Sequence, residues 1–183
     1  MSENQELRNV GEVELTYTID SASIQATQDH IRQEAWRYSM CENIFIYVPE
    51  AHIEFIVGGV FMLLPYPSYK IALLEFATHL RKLVNELEVN KTLRHLVSLT
   101  GYLNSFTLND DETVTVESIL GKEGHCTLAD LRLVTDQFCS RVYEDIVRLF
   151  PDYFTFMDIL PPGKVRTDIS PSERKIGELL GRQ

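Results

Sequence analysis

From Asn43 to Leu64 the chain reads NIFIYVPEAHIEFIVGGVFMLL, the most apolar part of the sequence. Ile44 to Val48 is apolar on both faces, as in a strand near the middle of a covered sheet. Pro49-Glu50 marks a turn. From His52 to Val57, the residues Ile53, Phe55 and Val57 alternate with His52, Glu54 and Ile56, and a period of two belongs to a strand. Gly58-Gly59 can supply the positive φ angles of a two-residue hairpin. Val60 to Leu64 makes a third strand, stopped by Pro65-Tyr66-Pro67, because proline has no N–H for a ladder. The stretch therefore predicts three antiparallel strands at the centre of a sheet.

Upstream, Val13, Leu15, Tyr17 and Ile19 alternate with polar residues, which adds a strand with one buried face. Asp20 and Ser21 offer capping oxygens to a helix from about Ser23 to Tyr38, whose Trp36 anchors its end on the sheet. Downstream, Ser68 is a candidate N-cap. Ile71, Leu73, Leu74, Ala77, Leu80, Leu83, Val84 and Leu87 recur at helical spacing and predict a helix from Ser68 to Glu88. Asn90 to Thr100 reads as a further short helix with Leu93, Leu96 and Val97 inward. Tyr102–Leu108 and Thr113–Leu120 read as strands around the polar loop Asn109-Asp110-Asp111-Glu112, and Gly121 to His125 as a second loop. Thr127-Leu128-Ala129-Asp130 opens a last helix, with Leu128, Leu131, Val134, Phe138, Val142, Ile146 and Leu149 on its apolar stripe. The aromatic cluster Phe150, Tyr153, Phe154 and Phe156 follows it and packs back on the domain.

The expected fold class is α+β. One antiparallel sheet of about five to six strands is packed by helices, in the order (β)-α-β-β-β-α-(α)-β-β-α. Residues 1–11 form a flexible N-terminal tail, 12–157 a single α+β domain, and 158–183, rich in proline and mixed charge, an extended C-terminal tail.

The formal net charge is -10. Neutralising phosphates takes clustered Lys and Arg, so neither nucleic acid nor an anionic membrane surface is the expected partner. Cys41, Cys126 and Cys139 make no disulfide framework, and a reducing cytoplasm is the expected setting. The polar N-terminus has no apolar signal region, and the apolar stretch is broken by Pro49, His52, Glu54 and the glycine pair, unlike a membrane span.

The chain carries little recognisable chemistry. His30, His52, His79, His95 and His125 stand at no zinc spacing with the cysteines, apart from the adjacent His125-Cys126 pair. Adjacent residues of an extended chain point to opposite sides, so no metal is expected. No cofactor motif is present either, since Gly58-Gly59 lacks the Lys and helix opening of a phosphate loop. Cys126 lies at a predicted helix N-terminus, where backbone dipoles favour a thiolate, and His125 is beside it. The ordinary reading of such a cysteine is a packing residue. The acidic loop 109–112 lacks EF-hand spacing and reads as a solvated turn. Long apolar strands and aromatic residues can instead recognise a polypeptide, by adding a strand or by laying one in a groove. Tyr47, Phe55, Tyr66 and Tyr69, with Ile176 and Leu179 in the C-terminal tail, are the candidate partner-binding residues.

The Ile44–Leu64 strands, the helix that follows, GYLNSFTLNDDETVTVESIL and TLADLRLVTDQFCSRVYEDIVRLFPDY are arranged helix, three strands, helix, two strands, helix. That order resembles the YbjN and type III secretion chaperone-like fold. The segment Asn90–Thr100, the first strand and the C-terminal tail are additions to it. The resemblance implies a small acidic, non-enzymatic protein that dimerises and binds segments of partner proteins. The expected function is therefore a cytoplasmic chaperone-like or adaptor protein, a homo-oligomer acting on a polypeptide client. Its dimer seam would lie on the helix Ser68–Leu87 or Thr127–Phe150. The alternatives are a small thiol-dependent enzyme or redox protein using Cys126 and His125, or a structural subunit of a larger assembly with its tails as docking arms.

Overall fold

A computed structural model describes residues 11–38, 49–63, 70–97 and 101–150 of the chain. Strand β1 (Val13–Thr18) buries Val13 and Leu15 and exposes Glu14 and Thr16, as its alternation predicts. Helix α1 (Ser21–Tyr38) follows directly. Asp20 caps it by accepting the Ser23 N–H at 2.7 Å. The same carboxylate meets Lys70 Nζ at 2.6 Å. The Lys70 hydrogen bond, then the backbone N–H of Ser23, hold its pKa down to about 2.

Strand β2 (Glu50–Val57) pairs antiparallel with β1, Val13 opposite Val57 and Thr18 opposite His52. Gly58 and Gly59 take φ of 58° and 78°, closing the predicted hairpin onto β3 (Val60–Phe61). That strand is shorter than the Val60–Leu64 expected, although Met62 N–H still donates to the Phe55 carbonyl at 2.8 Å. Ile71-Ala72, expected inside a helix, form the short strand β4 against β2. Helix α2 (Leu73–Asn90) thus starts at Leu73 rather than Ser68. Pairing with Glu50-Ala51 satisfies the backbone of residues 71–72 and holds them extended. Leu73, Leu74, Phe76, Ala77, Leu80, Leu83, Val84 and Leu87 are all buried, and full burial of each large side chain contributes about 1.5–3 kcal/mol.

The main correction concerns the next segment. Residues expected to form a short helix between Asn90 and Thr100 form strand β5 (Thr92–Val97). It pairs with β6 (Gly101–Leu108), which continues antiparallel to β7 (Thr113–Ser118) and β8 (Glu123–Thr127). The expected loop Gly121–His125 is therefore mostly strand, and the β7–β8 turn falls at Ile119-Leu120. Helix α3 (Leu128–Leu149) opens as predicted, with Thr127 Oγ1 accepting the Asp130 N–H at 3.0 Å.

The α+β class holds, with the strands of the described residues divided between two antiparallel sheets of four rather than gathered in one. One core joins them. Phe55 of β2 stacks on Phe106 of β6 at 6.2 Å between centroids, and Asn104 Nδ2 donates to the Met62 carbonyl at 2.9 Å. Phe76 of α2 and Phe138 of α3 meet edge to face at 5.8 Å. At the crossing of the sheets, a Cβ on Gly124 would lie 2.3 Å from the Val57 carbonyl oxygen, so only glycine lets β8 approach β2. Gly11 N–H donates to the His125 carbonyl at 3.0 Å beside that crossing.

Several expectations lie outside the described residues: the strand Ile44–Val48, the Ser68 cap, Leu64, Tyr153, Phe154, Phe156, the N-terminal tail before Gly11 and the C-terminal tail. The side chain of Trp36 is outside them too. Phe150 is buried, as expected for the start of the aromatic cluster.

Candidate functional site

Cys126 directly precedes the Thr127 cap of α3, as expected, but its surroundings differ from those of an exposed helix N-terminus. It is the fourth residue of β8, wholly buried, with its Sγ 4.0 Å from the Val114 carbonyl. Burial, then the Asp130 carboxylate, push its pKa up to about 12, opposite to the depression expected at a helix N-terminus. His125 is on the other face of the strand, with Nδ1 3.1 Å from Thr115 Oγ1. Among the described residues, the two side chains share neither a face nor a hydrogen bond. Cys139 is also buried, within 3.5 Å of the Ala77 carbonyl, with its pKa pushed up to about 12 by burial.

Phe55, expected to meet a partner, is instead at the centre of the core with no exposed surface. Its place on the inward side of β2 follows from the same alternation that defined the strand. Tyr47, Tyr66, Tyr69, Ile176 and Leu179 lie outside the described residues. Among the described residues, no group of three His, Cys, Asp or Glu side chains is gathered to hold a metal ion. No helix among them is long and apolar enough to cross a membrane.

The acidic β6–β7 turn borders a cavity of about 490 Å³, also lined by Glu88, Lys91, Thr127 and Arg132. Its polar groups are largely engaged with one another. Asp111 Oδ1 accepts from the Thr113 N–H at 3.2 Å, Asn109 Nδ2 donates to Thr113 and Thr115, and Arg132 pairs with Glu88 at 3.1 Å.

A second cavity, of about 240 Å³, has a different character. It lies between α2 and β5 and is lined by His79, Lys82, Leu83 and Glu86 from the helix, and by Leu93, Arg94 and His95 from the strand. The sequence places those helical residues on one flank, because positions three, four and seven apart share a face. The opposite flank is held by α3, through Arg81–Asp136 at 3.3 Å and Glu88–Arg132. β5 is the outermost strand of its sheet. Among the described residues no strand pairs with its outer edge, which runs alongside the free flank of α2.

His95 sits in this strand, 1% exposed, tilted against Phe76 at 4.6 Å and edge to face with Phe106 at 6.4 Å. Neither ring nitrogen has a partner in hydrogen-bonding geometry. Burial, then the neighbouring His79, push its pKa down to about 3, while the Phe76 carbonyl is near enough to oppose them slightly. The imidazole is therefore neutral at physiological pH. The ladder is also irregular here, with a register shift between His95 and Leu96. A buried polar group without a partner is costly, of order 1–3 kcal/mol, and marks this groove rather than the larger cavity.

Sequence reasoning missed the groove because it read Asn90–Thr100 as helical, which scatters Arg94 and His95 from their neighbours. Two signals pointed the other way. Asn90-Lys91 follows a long helix as a stop, and the β-branched Thr92 and Val97 bound a run too short to be helical by itself. Comparison with protein-family models, with curated proteins and with solved structures finds no match for the chain.

Proposed function

We propose that the protein is a non-enzymatic, cytoplasmic polypeptide-binding module that captures an extended segment of a partner by adding it to the outer edge of β5, beneath the free flank of α2. The single observation that carries this reading is the groove itself, an edge strand with a helix beside it. An added strand takes its affinity from main-chain hydrogen bonds, and a flanking helix gives its alternate side chains a wall to pack on. Exposed edges are ordinarily blunted by bulges or charge, and the register shift at His95 with Arg94 beside it is such a device against indiscriminate pairing. The burial and high pKa of Cys126 favour this reading over thiol chemistry. Dimerisation, in keeping with the chaperone-like resemblance, belongs to the same proposal. Leu133 on α3, 57% exposed, is an apolar point for the seam.

The test is selection of random peptides of about ten residues on the immobilised full chain, followed by amide hydrogen exchange with the selected peptide bound. Protection of the Thr92–Val97 amides rising about tenfold or more supports strand addition. Peptides that protect another region, or a selection that yields none above background, would falsify it.

A further inference from the structure

Among the described residues, three buried side chains carry a polar atom with no hydrogen-bond partner, and two of them are neighbours across one strand pair. His95 of β5 is opposite Asn104 of β6, at 1% and 0% exposed, with both imidazole nitrogens and Asn104 Oδ1 unpartnered. We propose that this pair is a proton-operated latch beside the groove: uptake of a proton by His95 frees the far end of β5 from β6 while the rest of the fold stays in place. The latch stands on the His95–Asn104 geometry. Its consequence, an exit route for a captured strand on acidification, rests on the strand-addition reading.

The two strands are not equally free to move. Asn104 Nδ2 donates to the Met62 carbonyl, and β6 pairs with β7 on its other side, so β6 is tied to both sheets. β5 is an edge strand, anchored at its Thr92 end, where the Lys91 carbonyl accepts the Leu108 N–H at 2.7 Å. Beyond His95 the register shifts, and two residue pairs, Leu96 with Tyr102 and Val97 with Gly101, complete the ladder. The irregular point of the seam therefore coincides with its two unsatisfied side chains, and opening there gives both of them water. The groups around the imidazole keep it neutral while the seam is closed. His79, Lys82 and Glu86 of α2 and Arg94 of β5 line the cavity beside it, and β6 offers Asn104 and Phe106, which do not titrate. Burial and then His79 oppose the proton, and the Phe76 carbonyl offsets them in small part. In the open strand the ring returns to its ordinary pKa of about 6.5, so protons bind the open form more tightly and opening grows as pH falls below that value.

Native-state amide exchange in low urea, divided by the intrinsic rate at each pH, tests the latch on the free full chain. The β5 amides that bond to β6 are expected to exchange through an opening more frequent than that of the β7 amides and insensitive to urea, the mark of a local event. At pH 5 that opening should be about twentyfold more populated than at pH 7. His95→Leu keeps an apolar side chain in the seam without the titrating ring, and it should abolish the pH dependence. A single urea dependence shared by β5 and β7 would mean that β5 opens only with the whole fold, and overturns the latch. A local opening unchanged between pH 7 and pH 5, or one that keeps its pH dependence in His95→Leu, overturns it as well. These outcomes leave strand addition standing, since that is read from peptide selection and protection at neutral pH. Dissociation of a selected peptide should quicken at pH 5 from the native chain and not from His95→Leu. A rate unchanged in the native chain overturns the exit route.

Discussion

Single residues set the state of the buried thiols and the acid sensitivity of the fold. With both thiols pushed up to about 12, Cys126 and Cys139 stay protonated and unreactive near neutral pH in the folded chain. Peptide-level mass spectrometry after brief maleimide treatment should find both unlabelled until denaturant is added, and rapid labelling of Cys126 in the folded state would restore the thiol reading. His95 gives a second prediction. Its folded pKa lies below its unfolded value, so the unfolded chain binds the extra proton between about pH 6.5 and 3. The stability it confers is complete above pH 6.5 and is lost as pH falls. Urea unfolding should show about 2 kcal/mol less stability at pH 5 than at pH 7 from this residue, and His95→Leu should remove that portion of the slope. A slope unchanged in the variant would place the acid sensitivity elsewhere.

At the scale of elements, caps and close approaches decide where strands and helices begin and cross. Thr127→Ala removes the oxygen that accepts the Asp130 N–H and should cost about 1 kcal/mol. Gly124→Ala should cost about 3 kcal/mol or more, because its Cβ meets backbone, not a side chain that can rotate away. Chemical denaturation reads both, and the second should exceed the first. Legibility in the sequence follows the same division. Periodicities of two and 3.6 were enough to find β1, β2, most of α2, β6, β7 and α3, since each buries one regular face. The Gly58-Gly59 hairpin and the Thr127 cap were readable because their chemistry is local. What failed depended on partners distant in sequence. Ile71-Ala72 continue a helical pattern and are drawn into a strand by Glu50-Ala51. Thr92–Val97 has no clean alternation, and β6 makes it a strand. The groove, built on that segment, was hidden with it, while Phe55 was readable as inward-facing and belongs to the core.

The whole molecule holds its two sheets through one core, so they should unfold together. Amides of β1 and β7 are expected to exchange with the same opening free energy, and a single urea transition should be seen by every probe. Phe55→Leu and Phe106→Leu should be non-additive by about 0.5–1.5 kcal/mol, since their stacked rings bridge the sheets, and strict additivity would mean that the sheets are energetically separate. The walls of the groove are joined just as directly. Lys91 alone links α2 to β5, at φ 52°, with its N–H on the Leu87 carbonyl and its carbonyl on the Leu108 N–H. Such a joint has no slack for an inserted residue. One residue added there would turn β5 over by a pleat, sending Leu93 and His95 to solvent and Thr92 and Arg94 to the core. The acidic β6–β7 turn, exposed at its tip, would absorb the same insertion without moving a strand. Length can therefore drift at the exposed tip of the β6–β7 turn but is fixed at residue 91, and any change in the shape of the groove has to come from side chains rather than from remodelling the joint.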